Sequence, residues 1–141
     1  MFPPPQPWKT LIAIDPEKQY LAFTSRFAMR SVFRVPAFMR YSFQIMRQVE
    51  AAPGAVGYAL GADLLRLNFY TLSVWEDEEH LRAFVRARPH IGAMRDFRHD
   101  MRSQSPFIRW NIRGAELPPT WKDALSRQTQ GPDASAPNIR R

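Results

Sequence analysis

Three histidines, His80, His90 and His99, are the side chains of this chain best suited to moving a proton near neutral pH. His80 follows the acidic run Glu76, Asp77, Glu78, Glu79, and His99 lies among charges in RDFRHDM, so both are expected in solvent. His90 differs. If a helix continues from it, His90, Met94, Phe97 and Met101 fall on one apolar face. A histidine on such a face is a candidate general base, and His90 is the candidate catalytic residue. The competing reading is a histidine that caps the second helical piece and bonds locally. The four acids resemble a carboxylate cluster, but consecutive helical residues diverge by about 100° each and cannot all converge on one metal. An acidic first turn at the positive end of a helix explains them better, and no HExxH-type site is formed.

A second set of residues suits the wall of a pocket. Aromatic and methionine side chains are abundant, and most of them are expected in an ordinary core. Tyr70, Trp75 and Trp110 combine a ring with a polar tip, so with Met94 they are the candidate lining for a flat hydrophobic molecule. Arg109 and Asn111 share one face of a strand by two-residue alternation and form a candidate polar wall. An arginine facing a cavity needs an anion, from a ligand or from an acid of the chain. The chain has no cysteine, which excludes disulfides, thiolate catalysis and Cys-based zinc sites and fits a cytoplasmic protein. It has no GxGxxG, phosphate-loop or GxSxG pattern, which disfavours dinucleotide binding and NTP hydrolysis.

The elements that must position these residues are legible from pattern. Its 141 residues suit one domain, and no apolar run is long enough to span a membrane. Residues 1–20 read as an extended arm, and PPPQP favours polyproline geometry. Strands are expected over 21–30, 55–61, 67–75 and 106–113. A helix is expected from Pro36 to Ala52, closed by Gly54, and another from the acidic run to Pro89, with a second piece from His90 to about Arg102. Residues 114–127 read as a short helical extension and 128–141 as a disordered tail. The order βαββαβ between residues 21 and 113 is that of a ferredoxin-like α+β domain with an antiparallel sheet. The helices cover one face of that sheet. The other face is also apolar, which predicts a homodimer packed sheet to sheet.

The net charge is +7, and residues 21–113 carry 14 arginines against eight acids. The arginines are scattered, with no Lys/Arg run, so a solvated basic surface is favoured over nucleic-acid binding.

A strand ending in TLSVW, an acidic turn, Phe84, the pair Pro89–His90 and a last strand carrying Trp110 together resemble the dimeric α+β barrel superfamily. Within it, residues 21–113 are similar to antibiotic-biosynthesis-monooxygenase-like and spheroidene-monooxygenase-like proteins. The resemblance implies a homodimer with one pocket per subunit between sheet and helices. Some relatives oxygenate polycyclic aromatic substrates without a cofactor, others bind haem, and others have no known activity. The expectation is therefore a monooxygenase-like protein acting on an aromatic or polyene small molecule without a cofactor. Its alternatives are a haem protein with His90 as axial ligand and a non-catalytic binding module.

Overall fold

The computed structural model describes residues 6–87, 101–104 and 107–130. Six strands form one antiparallel sheet: β1 (Gln6–Thr10), β2 (Gln19–Met29), β3 (Ala55–Asp63), β4 (Asn68–Trp75), β5 (Met101–Gln104) and β6 (Ile108–Arg113). Among the described residues, three α-helices accompany it: α1 (Val35–Ala51), α2 (Glu78–Arg86) and α3 (Trp121–Gln130). The sheet order is β1-β3-β4-β2, with β5 and β6 sharing the far edge of β2. β6 pairs with the first half of β2, from Gln19↔Arg113 to Thr24↔Ile108, and β5 with its last turn, Phe27↔Gln104 to Met29↔Met101. Together they act as the one fourth strand of a ferredoxin-like sheet, so the expected fold class holds.

Several expected boundaries move. The second helical piece was expected to reach Arg102, but Met101–Gln104 is strand, because the end of β2 offers it an open ladder. The N-terminal arm is not wholly irregular. Gln6–Thr10 adds a fifth line to the sheet by pairing with β3. Residues 128–130, read as tail, complete α3.

Local chemistry explains the helix ends. Pro36 occupies the start of α1, where its missing N–H costs nothing. Gly54, with φ +82°, ends the α1 turn, and its carbonyl accepts from Glu76 N at 2.8 Å. A Cβ at Gly54 would lie 2.3 Å from His80 Cγ, so both the dihedral and the space require glycine. His80 is thus half-covered and not free in solvent as expected. Asp77 caps α2 by accepting from His80 N at 2.9 Å, and its carboxylate also meets His80 Nδ1 at 2.7 Å.

The two faces of the sheet carry separate cores. On the α1/α2 face, Leu21, Phe23, Tyr58 and Trp75 pack with Val49, Leu81 and Phe84. On the other face, Tyr20, Leu72, Val74, Trp110 and Ile112 pack beneath Ala124 and Trp121 of α3. This corrects the argument for a dimer. The second apolar face is not left open by a single copy, because the chain folds its own C-terminal helix over it.

Candidate functional site

α1 touches the sheet at its ends and leaves room between. Among the described residues of α1, Val49 near its C-terminus is the buried one, and Phe38 near its N-terminus meets Phe69 of β4 at a ring distance of 4.9 Å. Between these supports lies a cavity of about 120 Å³. The sheet contributes Phe23 and Phe27, the segment before β6 adds Phe107, α1 adds Ile45 and Met46, and α2 adds Phe84. The rings interlock edge to face, Phe23 on Phe107 at 5.4 Å and Phe27 on Phe38 at 6.2 Å.

The polar groups of the lining come from matched positions on neighbouring strands. Ser25 and Thr71 are register partners on β2 and β4, and their hydroxyls share a hydrogen bond of 2.5 Å. Ser73 accepts from Trp75 Nε1 at 2.9 Å. Tyr58 donates its phenol to Glu50 Oε2 at 2.5 Å, and Glu50 also accepts from Lys9 Nζ at 2.9 Å. Burial pushes the Tyr58 phenol well above its ordinary range, and the hydrogen bond and charge of Glu50 push it further. The same bond, then that from Lys9, holds Glu50 below the usual carboxylate range. Tyr58 is therefore a donor and not a base.

Among the described residues that line the cavity there is no imidazole, carboxylate or ammonium group. The arrangement can enclose one face of a flat apolar molecule and offer a hydroxyl pair to a polar substituent. A dry apolar cavity of comparable size is known to take a benzene-sized ligand.

The expected site residues fall in four places. Trp75 is fully buried behind Phe84, at a ring distance of 4.9 Å, and supports the wall without lining it. Tyr70 and Trp110 point to the opposite face, Tyr70 toward Trp121 and Trp110 beneath the Arg127 guanidinium at 4.4 Å. Arg109 is ion-paired with Glu78 of α2, so its anion is an acid of the chain, and Asn111 is exposed to solvent. Neither lines the cavity. His90 and Met94 lie outside the described residues. Arg109, the cation expected for a haem propionate, is instead paired with Glu78.

Pattern reasoning favoured Tyr70, Trp75 and Trp110, whereas the aromatic lining of the cavity is Phe23, Phe27, Phe38, Phe84 and Phe107 with Tyr41 and Tyr58. The available signal was the pair of small hydroxyl residues, Ser25 and Thr71, in two central strands.

A sequence profile for a domain of unknown function, DUF3291, matches residues 37–137. The chain belongs to the DUF3291 family. No curated protein matches the chain in sequence. Solved structures share the fold. SnoaB, a cofactor-independent oxygenase from Streptomyces nogalater, is 14% identical with a TM-score of 0.55, over 72% of this DUF3291 chain and 98% of that one. An antibiotic biosynthesis monooxygenase is 11% identical with a TM-score of 0.56, over 65% and 95%. A protein of Fusobacterium nucleatum proposed as a monooxygenase is 12% identical with a TM-score of 0.61, over 77% of this chain. The chain spans about half of that protein, 48%. At these identities the likeness establishes a fold of the antibiotic-biosynthesis-monooxygenase type.

Proposed function

We propose that the chain is a monooxygenase-like protein that holds a flat hydrophobic aromatic or polyene molecule between α1 and the sheet. The phenylalanine-lined cavity with its Ser25–Thr71 hydroxyl pair carries this reading. The fold shared with SnoaB, named a cofactor-independent oxygenase, supports the reaction class. An activated CH2 of the substrate would lose a proton, the carbanion would reduce O2, and the balance would be CH2 + O2 → C=O + H2O. The lining would exclude water and orient the ring, with a substrate oxygen against Ser25 and Thr71. The described lining offers no proton acceptor, so His90 stands as the proposed base.

That same lack favours, as a second reading, a binding module without catalysis. Two measurements separate them. Ile45→Trp fills the cavity, while Trp110→Phe alters the opposite face. Binding of a fluorescent polycyclic aromatic probe is expected to be lost in the first variant and kept in the second. Equal binding in both would overturn the site. Oxygen uptake with an electron-rich phenolic substrate, lost in His90→Ala, supports the enzyme; uptake unchanged in that variant removes His90 as base.

A further inference from the structure

Four of the six exposed large apolar side chains among the described residues gather at one end of the sheet: Val32 at 58% exposure, Phe33 at 88%, Leu64 at 65% and Leu65 at 97%. They come from two turns that are neighbours in space. β2 ends at Met29, whose N–H donates to Leu67 O at 2.9 Å, so the turn after β2 runs beside the β3–β4 turn. Neither placement is needed by the core. A phenylalanine and a leucine held almost wholly in water are a cost that folding does not recover, so they point to a surface that covers them.

The charges of the same turns say which surface. Arg30, Arg34 and Arg66 are exposed there, against one described acid, Asp63, which pairs with Arg66 at 3.2 Å. The opposite end of the sheet is mixed in charge, because its acids Glu76 and Glu78 are paired with Lys18, Arg82 and Arg109. Apolar tips rimmed by arginine match an anionic lipid surface. Rings and leucines enter the acyl boundary and guanidinium groups meet headgroup phosphates. The cavity wall extends toward this end. Phe27, Phe38 and Leu60 line both the cavity and a small recess bounded by Met39 and Phe69, and Phe69 packs with Leu67 of the turn.

We propose that the end of the sheet bearing Val32, Phe33, Leu64 and Leu65 docks on an anionic membrane surface, from which apolar molecules reach the cavity. No described helix is long and apolar enough to cross a membrane, so the contact is peripheral. Docking stands apart from the oxygenation reading, because it needs only the tip.

Co-sedimentation tests it with the full chain. The probes are vesicles of phosphatidylcholine alone and vesicles mixed roughly equally with phosphatidylglycerol. Each arginine near an anionic surface strengthens binding about fivefold, so at least tenfold tighter binding to the mixed vesicles is expected, reversed by salt. Phe33→Glu with Leu65→Glu is expected to weaken it at least tenfold, with an unchanged circular dichroism spectrum because both side chains are exposed. Arg34→Glu alone is expected to remove most of the preference for the anionic vesicles. Absence of binding to either vesicle, or undiminished binding by the double variant, overturns the proposal. So does a dimer in light scattering that the double variant converts to monomer, which would make the tip an interface between copies.

Discussion

Replacing Tyr58 by phenylalanine separates burial from hydrogen bonding at the cavity wall, and pH reads out the difference. At neutral pH the variant loses one hydrogen bond to a charged acceptor, usually a contribution of about 1.5–3 kcal/mol. Glu50 is one-third exposed and keeps Lys9, so it rehydrates, and the expected cost is nearer 1 kcal/mol. Raising the pH changes the balance. The unfolded tyrosine releases its proton near pH 10, while burial and Glu50 hold the folded phenol protonated well above that. Above pH 10 the unfolded state therefore binds fewer protons than the folded state, and stability falls as pH rises. With the folded pKa far above, one such group costs the wild type about 1.4 kcal/mol at pH 11 relative to neutral pH. The phenylalanine variant has no group to titrate there. Urea unfolding at intervals from pH 8 to about pH 11 is expected to show wild type above the variant at first and the two converging at the alkaline end. Parallel profiles across that range would refute the claim that Tyr58 is held protonated by its surroundings.

Other substitutions test the supports of the site. Ser73→Ala leaves the Trp75 indole N–H buried without its acceptor, at an expected cost of about 1–3 kcal/mol by urea unfolding, whereas Ser73→Thr retains most of the stability. Ala124→Glu places a charge at a fully buried position beneath α3, so that helix should detach. Trp121 and Trp110 emission should then shift to the red while binding of the aromatic probe at the α1/α2 face is unchanged. Asp77→Ala removes the α2 cap and should cost about 1 kcal/mol above pH 5. The bond from His80 N lowers the Asp77 pKa, so this stability is present above the unfolded carboxyl pKa and lost as pH falls below it. The variant should accordingly lose less than wild type between about pH 4 and pH 2 in acid unfolding.

Particular elements show how far the sequence reaches. α2 was legible because an acidic turn, Asp77 at its cap and the Leu81/Phe84 stripe all state the same helix. β4 was legible because β-branched and aromatic residues dominate it. The Arg109–Asn111 face was also read rightly as one side of β6, yet its partner was not, since Glu78 lies 31 residues away and meets Arg109 only after α2 folds back. The same distance in sequence hides the cavity. It exists because α1 rests on its two ends, and spacing within α1 cannot say how high the helix stands above the sheet.

What the sequence by itself determined is the periodicity: where strands and helices run, their βαββαβ order, and that both sheet faces are apolar. Those are local properties of the chain and its turn residues. Tertiary structure decided which surface covers each face. It placed α3 over Trp110 and Tyr70, set phenylalanines around the space under α1, and left Phe33 and Leu65 in water at one end. Burial is a relation between distant segments, and an apolar residue bears the same letter whether another helix, a ligand or a membrane is what finally covers it.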